Sequence, residues 1–220
     1  MRVRSPGGAV GRPPNTDPAV TRNRILQAAV DLFGENGREG AAIREVARRS
    51  KVSMSTVLHH FGSKQGLFDA CVDAMLDGLA THQDAMLDVA TAASGPRTAS
   101  DQVVRECFRF ARRHQRLLRV ITCESVTTGH LPEGGRERVI APALDRAAGF
   151  VTDVAGRSAV DARIAVMSIC HIITRFVLTD IEELRASLAL DPADDEDASY
   201  DVIEDHVARN AAVLLWGSLD

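Results

Sequence analysis

Aromatic side chains are scarce: the 220 residues hold seven Phe, one Tyr and one Trp, 4% in all. Lysine is nearly absent beside arginine, and no strand-like alternation of apolar and polar residues runs beyond a few positions. With alanine abundant, these gaps favour helices over sheets. No CxxC pair occurs: Cys71, Cys107, Cys123 and Cys170 are widely scattered in apolar helical contexts. They read as buried reduced thiols, with a redox or metal switch as the lesser alternative. No apolar run approaches the ~20 residues that a spanning helix needs, and the N-terminus has no signal-peptide h-region. The expected location is therefore the cytoplasm, with no membrane partner. Paired carboxylates, a nucleophile motif and a phosphate loop at working spacing are also missing, which argues against an enzyme. No cofactor and no metal are expected.

What is present is a chain able to bury a core, 45% hydrophobic and 25% charged, with a mean hydropathy of −0.06. Its net charge of −4 is unevenly spread. Residues 1–70 hold 11 Lys+Arg against 6 Asp+Glu, and residues 71–220 hold 15 against 24. A basic head on an acidic body suggests that the head meets a polyanion.

Three regions are expected: a basic arm over 1–16, a helix-turn-helix head over 17–63 and a body over 64–220. The arm is rich in Pro, Gly and Arg without periodicity. Asp17-Pro18 then opens a helix as N-cap and first turn. Ile25, Ala28, Ala29, Leu32 and Phe33 make one apolar stripe, and Gly37 supplies a stop. A short second helix carries Ile43, Val46, Ala47 and Ser50 on one face. Ser53 caps a third that runs to about His60, with Val57 and Phe61 turned inward. Ser63 caps a longer fourth helix, which is expected to dock the head onto the body because so small a head is not very stable alone.

The segment from Ile43 to Phe61 has helix-turn-helix spacing. A recognition helix must enter a major groove about 12 Å wide with its first turn leading, so its outward face must be short and hydrogen-bonding. Ser53, Ser55, Thr56 and His59 provide that face. Lys51, Lys64, Arg44 and Arg48 lie where cations can meet phosphates on either side. In the arm, Gly11-Arg12-Pro13-Pro14 holds an arginine extended, as suits a narrow minor groove, though a merely charged tail is the plainer reading.

The stretch from Arg24 to about Cys71 resembles the DNA-binding head of the tetracycline-repressor (TetR) family. The resemblance is carried by Ile25-Leu26, Ala28-Ala29, Leu32-Phe33, Gly37, Val46-Ala47, Val52-Ser53, Thr56, His60-Phe61 and Ser63-Lys64. It implies an all-α protein with obligate dimers, a helical-bundle body that holds an unknown small-molecule effector, and binding to a palindromic operator in double-stranded DNA. The residues expected to face DNA are Arg12, Arg24, Arg44, Lys51, Ser53, Met54, Ser55, Thr56, Leu58, His59, His60 and Lys64. Three positions depart from the family pattern. Leu58 stands where Tyr is usual, Lys51 where a Gly commonly begins the turn, and Gly40-Ala41-Ala42 lacks the Thr that caps the second helix.

For the body, breaks are expected at Ser94-Gly95-Pro96, at 129–135, near Gly156 and at the acidic stretch 191–198. Effector contacts are sought among Cys107, Phe108, Phe110, Cys123, Phe150, Met167 and His171, because such pockets are mostly apolar with a few polar groups. The segments 164–178 and 202–216 are apolar on more than one side, so a second copy of the chain is expected to cover them through Ile169, Ile173, Phe176, Val177, Val207 and Leu214. Arg109, Arg112, Arg113, Arg116 and Arg119 recur at helical spacing; they read as a solvated face paired with acids, or less simply as a grip on an anionic effector. The composite expectation is a dimeric repressor released from DNA by an effector. Its rival is a same-fold architectural or interaction protein whose head binds DNA without sequence preference.

Overall fold

A computed structural model describes residues 17–131, 135–191, 193 and 195–217. The arm, Arg12 included, lies outside the described residues. Among the described residues there are ten α-helices and no strand. They are α1 (Pro18–Gly40), α2 (Ile43–Arg49), α3 (Met54–Phe61), α4 (Lys64–Ala92), α5 (Pro96–Arg113), α6 (Gln115–Thr128), α7 (Ala141–Ala155), α8 (Ala159–Leu178), α9 (Ile181–Leu188) and α10 (Glu196–Trp216). A π-helical turn, Arg136–Ile140, leads into α7. No single described helix is long and apolar enough to cross a membrane.

Local chemistry sets the helix starts. The amide of Ala19 donates to the Asp17 carboxylate at 2.9 Å, with Pro18 in the first turn. Ser53 and Ser63 each accept from the amide three residues on, Thr56 and Gly66, at 3.0 Å. Ala42 offers α2 no side-chain cap, as the missing threonine implies. Gly37 bends the end of α1 with φ 67° rather than ending it, and the helical trace resumes to Gly40.

The head packs around Ile25, Ala29, Phe33, Val46, Val57 and Leu67, all at most 1% exposed. Phe33 and Phe68 meet edge to face at 5.3 Å. The first three turns of α4 belong to this core through Leu67, Phe68, Cys71, Val72 and Leu76. So does Val120 of α6, with Leu117 packed beside it. The head's apolar core thus closes only when two body helices are added. The joint is also polar: Arg116 donates to Asp31 at 2.8 Å, and Arg38 pairs with Glu124 at 3.4 Å.

The body core lies between α5, α7, α8 and α10, around Phe108, Ala162, Val177, Ile203 and Val207. A smaller cluster of Met75, Phe110 and Ile121 sits between α4, α5 and α6. Arginines tie α5 to α10. Glu204, buried on α10, receives Arg109 at 2.8 and 3.0 Å and Arg105 at 3.4 Å, and Arg105 also reaches Asp205 at 2.5 Å. Arg112 donates to Asp197 at 2.9 Å and stacks over Tyr200 at 4.0 Å. The arginine row is therefore occupied by acceptors of the same chain, with Arg113 on Glu106 and Arg119 on the Leu178 carbonyl.

Two expectations for the body need correction. Ile169, Ile173, Val177 and Val207 are buried inside the single chain, and Phe176 and Leu214 are half-buried against the same core. A second copy cannot remove from water the four that are already out of it, whereas Phe176 and Leu214 keep surface that a second copy can still cover. The apolar side chains that these helices leave exposed are others: Val160, Ile164 and Met167 on α8, and Val202 and Val213 on α10. The cysteines also divide: Cys71 is buried and its thiol pKa is pushed up to about 12 by that burial, whereas Cys123 and Cys170 are exposed.

Candidate nucleic-acid interface

α3 is a helix of eight residues held from below by few contacts. Val57 is fully buried, and Phe61 and Val52 are half-buried against the head's core. Its N-terminus gathers three hydroxyls. Ser53 Oγ lies 2.7 Å from Ser55 Oγ and 2.8 Å from Thr56 Oγ1, while accepting the Thr56 amide. The two contacts use two of the three hydroxyl protons and leave one for an outside acceptor, at the end of a helix where the backbone dipole favours negative charge.

Around that turn, Ser55, Met54, Leu58 and His59 are exposed, as are Lys51, Arg24 and Arg44. Thr56 and His60 are half-buried. The rings of His59 and His60 stand 5.6 Å apart at 70°, so the two imidazoles point in different directions. Lys51 begins the turn with φ 54°, in the left-handed region that a Gly would occupy without strain. Lys64 has a structural use: its Nζ donates to the Glu39 carbonyl at 2.9 Å and clasps the end of α1 to the start of α4. Arg48 is drawn onto Glu45 at 2.8 and 2.5 Å, and Arg49 bridges Glu45 and Glu35. These guanidinium bonds pull the Glu45 carboxyl down to about 2. Among the described residues, Lys51, Arg24 and Arg44 are thus exposed cations that no acid holds, whereas Arg22 lies over the Phe61 ring at 5.1 Å. Hydrogen bonding across turns is what separates them, and spacing alone does not tell which arginine meets which acid.

The effector residues expected from sequence do not converge. Phe108 faces the α5–α8–α10 core near Tyr200, whereas Phe110, two positions on, faces α4 and α6. Cys123, Phe150, Met167 and His171 are exposed, and Cys107 is half-buried. None of these seven residues lines the cleft of about 340 Å³ beside Arg119 and Tyr200 or the cleft of about 310 Å³ beside Ser100 and Trp216. The residues that sequence reasoning missed are His82 and Ser125. His82 stacks on Phe110 at 3.9 Å and 18°, and Phe110 also meets His114 at 4.4 Å. Among the described residues, His82 Nε2 and Ser125 Oγ are buried without a hydrogen-bond partner. A buried polar atom left unpaired is costly, so both positions are places where a water or a ligand group would be held.

Comparison with known proteins places these features. Residues 25–71 match the family of "Bacterial regulatory proteins, tetR family". An HTH-type transcriptional repressor of Mycobacterium tuberculosis is 45% identical over 71 residues, covering 30% of this chain and 36% of the relative. The match therefore spans about a third of that protein's length. The likeness of fold extends much further. The TetR-family regulator PfmR of Thermus thermophilus superposes with a TM-score of 0.62 at 18% identity, covering 90% of this chain and 99% of that one. The regulator FadR of Bacillus subtilis, solved in complex with stearoyl-CoA, does so with 0.59 at 17% identity, over 89% and 98%. Residues 25–71 are accordingly similar to the tetR-family head, and the described chain as a whole shares the all-helical fold of solved TetR-like regulators.

Proposed function

We propose that the protein is a sequence-specific DNA-binding transcriptional regulator, a repressor that a small molecule releases from a palindromic operator. The observation that carries this reading is the outward edge of α3: a hydroxyl-lined helix start, with exposed cations beside it, projecting from a head whose buried residues face away. Two such edges on a twofold dimer would enter successive major grooves, with half-sites about one helical turn apart. Phosphate contacts from Lys51, Arg24 and Arg44 would set position, and α3 would read bases. The dimer would form through the exposed apolar side chains of α8 and α10, and the protein would act in the cytoplasm.

Release requires an effector that binds better to a body whose heads are out of register with DNA. By linkage, operator must then weaken effector binding by the same factor. A protein of this fold has been solved with stearoyl-CoA, which supports a small-molecule effector here. The orphan atoms of His82 and Ser125, on α4 and α6, supply polar anchors. Both helices also enter the head's core, so a ligand between them can reach the DNA-binding end.

The test is selection of binding sequences from random duplex DNA by the full-length protein, followed by footprinting of the enriched duplex. The expected result is a protected inverted repeat and loss of binding with Thr56→Ala or His59→Ala at unchanged oligomeric state. Salt-dependent binding that enriches no sequence would favour the architectural alternative.

A further inference from the structure

The recognition helix carries two side chains that do not fit its hydrogen-bonding face. Met54 is 45% exposed and Leu58 is 41% exposed. Four positions apart, they lie one above the other on a single flank of α3. Neither belongs to the head's apolar core, nor to the half-buried residues packed against it. We propose that Met54 and Leu58 form an apolar reading edge that selects thymine through its 5-methyl group, so that base choice in each half-site rests on methyl contact as well as on hydrogen bonds.

The assignment rests on the DNA-binding reading above and gives it a base chemistry. Among the four bases, thymine alone presents a methyl group in the major groove. Leucine and methionine side chains bring no N–H or O–H to a base edge. Against guanine, adenine or cytosine they would strip water from a donor or acceptor and return nothing, so they also discriminate against the wrong pair. A protein-binding patch would be a different object, hundreds of Å² across and poor in charge at its centre. Here two apolar side chains sit amid Ser55 and His59 on the same helix and the exposed Lys51 before it, in a head of net positive charge. That setting suits a polyanion with a methyl-bearing groove.

The test uses the full-length protein and random duplex pools built with either thymine or uracil, which lacks only the methyl. Duplexes enriched from the thymine pool should carry T in each half-site. The same duplex with uracil at that place should bind about fourfold more weakly per methyl contacted, the factor that ~0.8 kcal/mol for one buried CH₂-sized group gives. Leu58→Ala and Met54→Ala should each erase the thymine–uracil difference at one position, with circular dichroism melting to show that the variants fold. The wild-type comparison decides by itself if they do not. Equal binding of the two forms of an enriched duplex overturns this inference and leaves sequence-specific binding standing. A thymine pool that enriches nothing overturns the proposed function and this inference together.

Discussion

Lys51 holds φ 54° at the first position of the turn between α2 and α3. A side chain in the left-handed region costs about 1–2 kcal/mol, and such strain gathers where geometry serves a site. Replacing Lys51 by Gly removes the strain and the cation together. The expected outcome is a protein more stable by about 0.5–1 kcal/mol in chemical denaturation, yet weaker on DNA, with a salt dependence of binding shallower by about one charge. A higher melting temperature with unchanged salt slope would show that Lys51 does not meet phosphate. Gly66 makes the opposite case. A Cβ there would lie 2.3 Å from the Phe61 carbonyl oxygen, so the backbone that closes α3 onto α4 must move. Gly66→Ala should destabilise the head by about 2 kcal/mol or more, read as a lowered unfolding midpoint, and should weaken DNA binding by displacing α3.

At the scale of helices, the caps were legible in the sequence because each is a contact within three residues. Asp17, Ser53 and Ser63 bond where their spacing says they should. The turn and inward residues of α3 were legible for the same reason. Pairings across the chain were not. The arginines of α5 and α6 repeat at helical spacing, but only the packed structure shows that Glu204, 95 residues from Arg109, lies buried between two of them. Glu204→Ala leaves Arg105 and Arg109 without their shared acceptor. Because both guanidinium groups still reach water, the cost should be about 2 kcal/mol, below that of a fully buried pair. The measurement is a denaturant midpoint, and a change under about 0.5 kcal/mol would make the tie decorative. The joint between α1 and α6 was equally hidden. It depends on Gly34, where a Cβ would stand 3.3 Å from the Arg116 carbonyl, and no periodicity announces such an approach.

The whole molecule adds a proton-linked contribution. His82 is buried enough that its pKa is lowered, first by desolvation, with Arg113 and His114 acting in the same direction and Glu106 against it. His114 is lowered too, by burial and by Arg113. A histidine with a depressed folded pKa is protonated more readily in the unfolded chain. Stability is thus complete above the unfolded value of about 6.5 and falls as pH drops below it. Thermal unfolding from pH 8 to 5 should show this loss, and His82→Gln should flatten part of it; an unaltered slope would exclude His82 as its source. The proposed dimer is the other property that belongs to no single helix. Sequence patterning shows that α8 and α10 are apolar on more than one side, but one side's partner in the same chain looks no different from a partner in another. Packing resolves them, since α5, α7, α8 and α10 share one core. Ile169→Ala should therefore cost the protomer about 2–4 kcal/mol, as cavity-forming changes do. Ile164, 57% exposed, should cost the protomer little when changed to Asp. If the exposed stripe of Val160, Ile164 and Met167 is where two copies meet, Ile164→Asp with Met167→Glu should yield a folded monomer in sedimentation. Half-site spacing makes two heads cooperate, so that monomer should also lose most of its operator affinity while keeping weak, salt-dependent binding. A double variant that remains dimeric would move the twofold axis to another surface of the body.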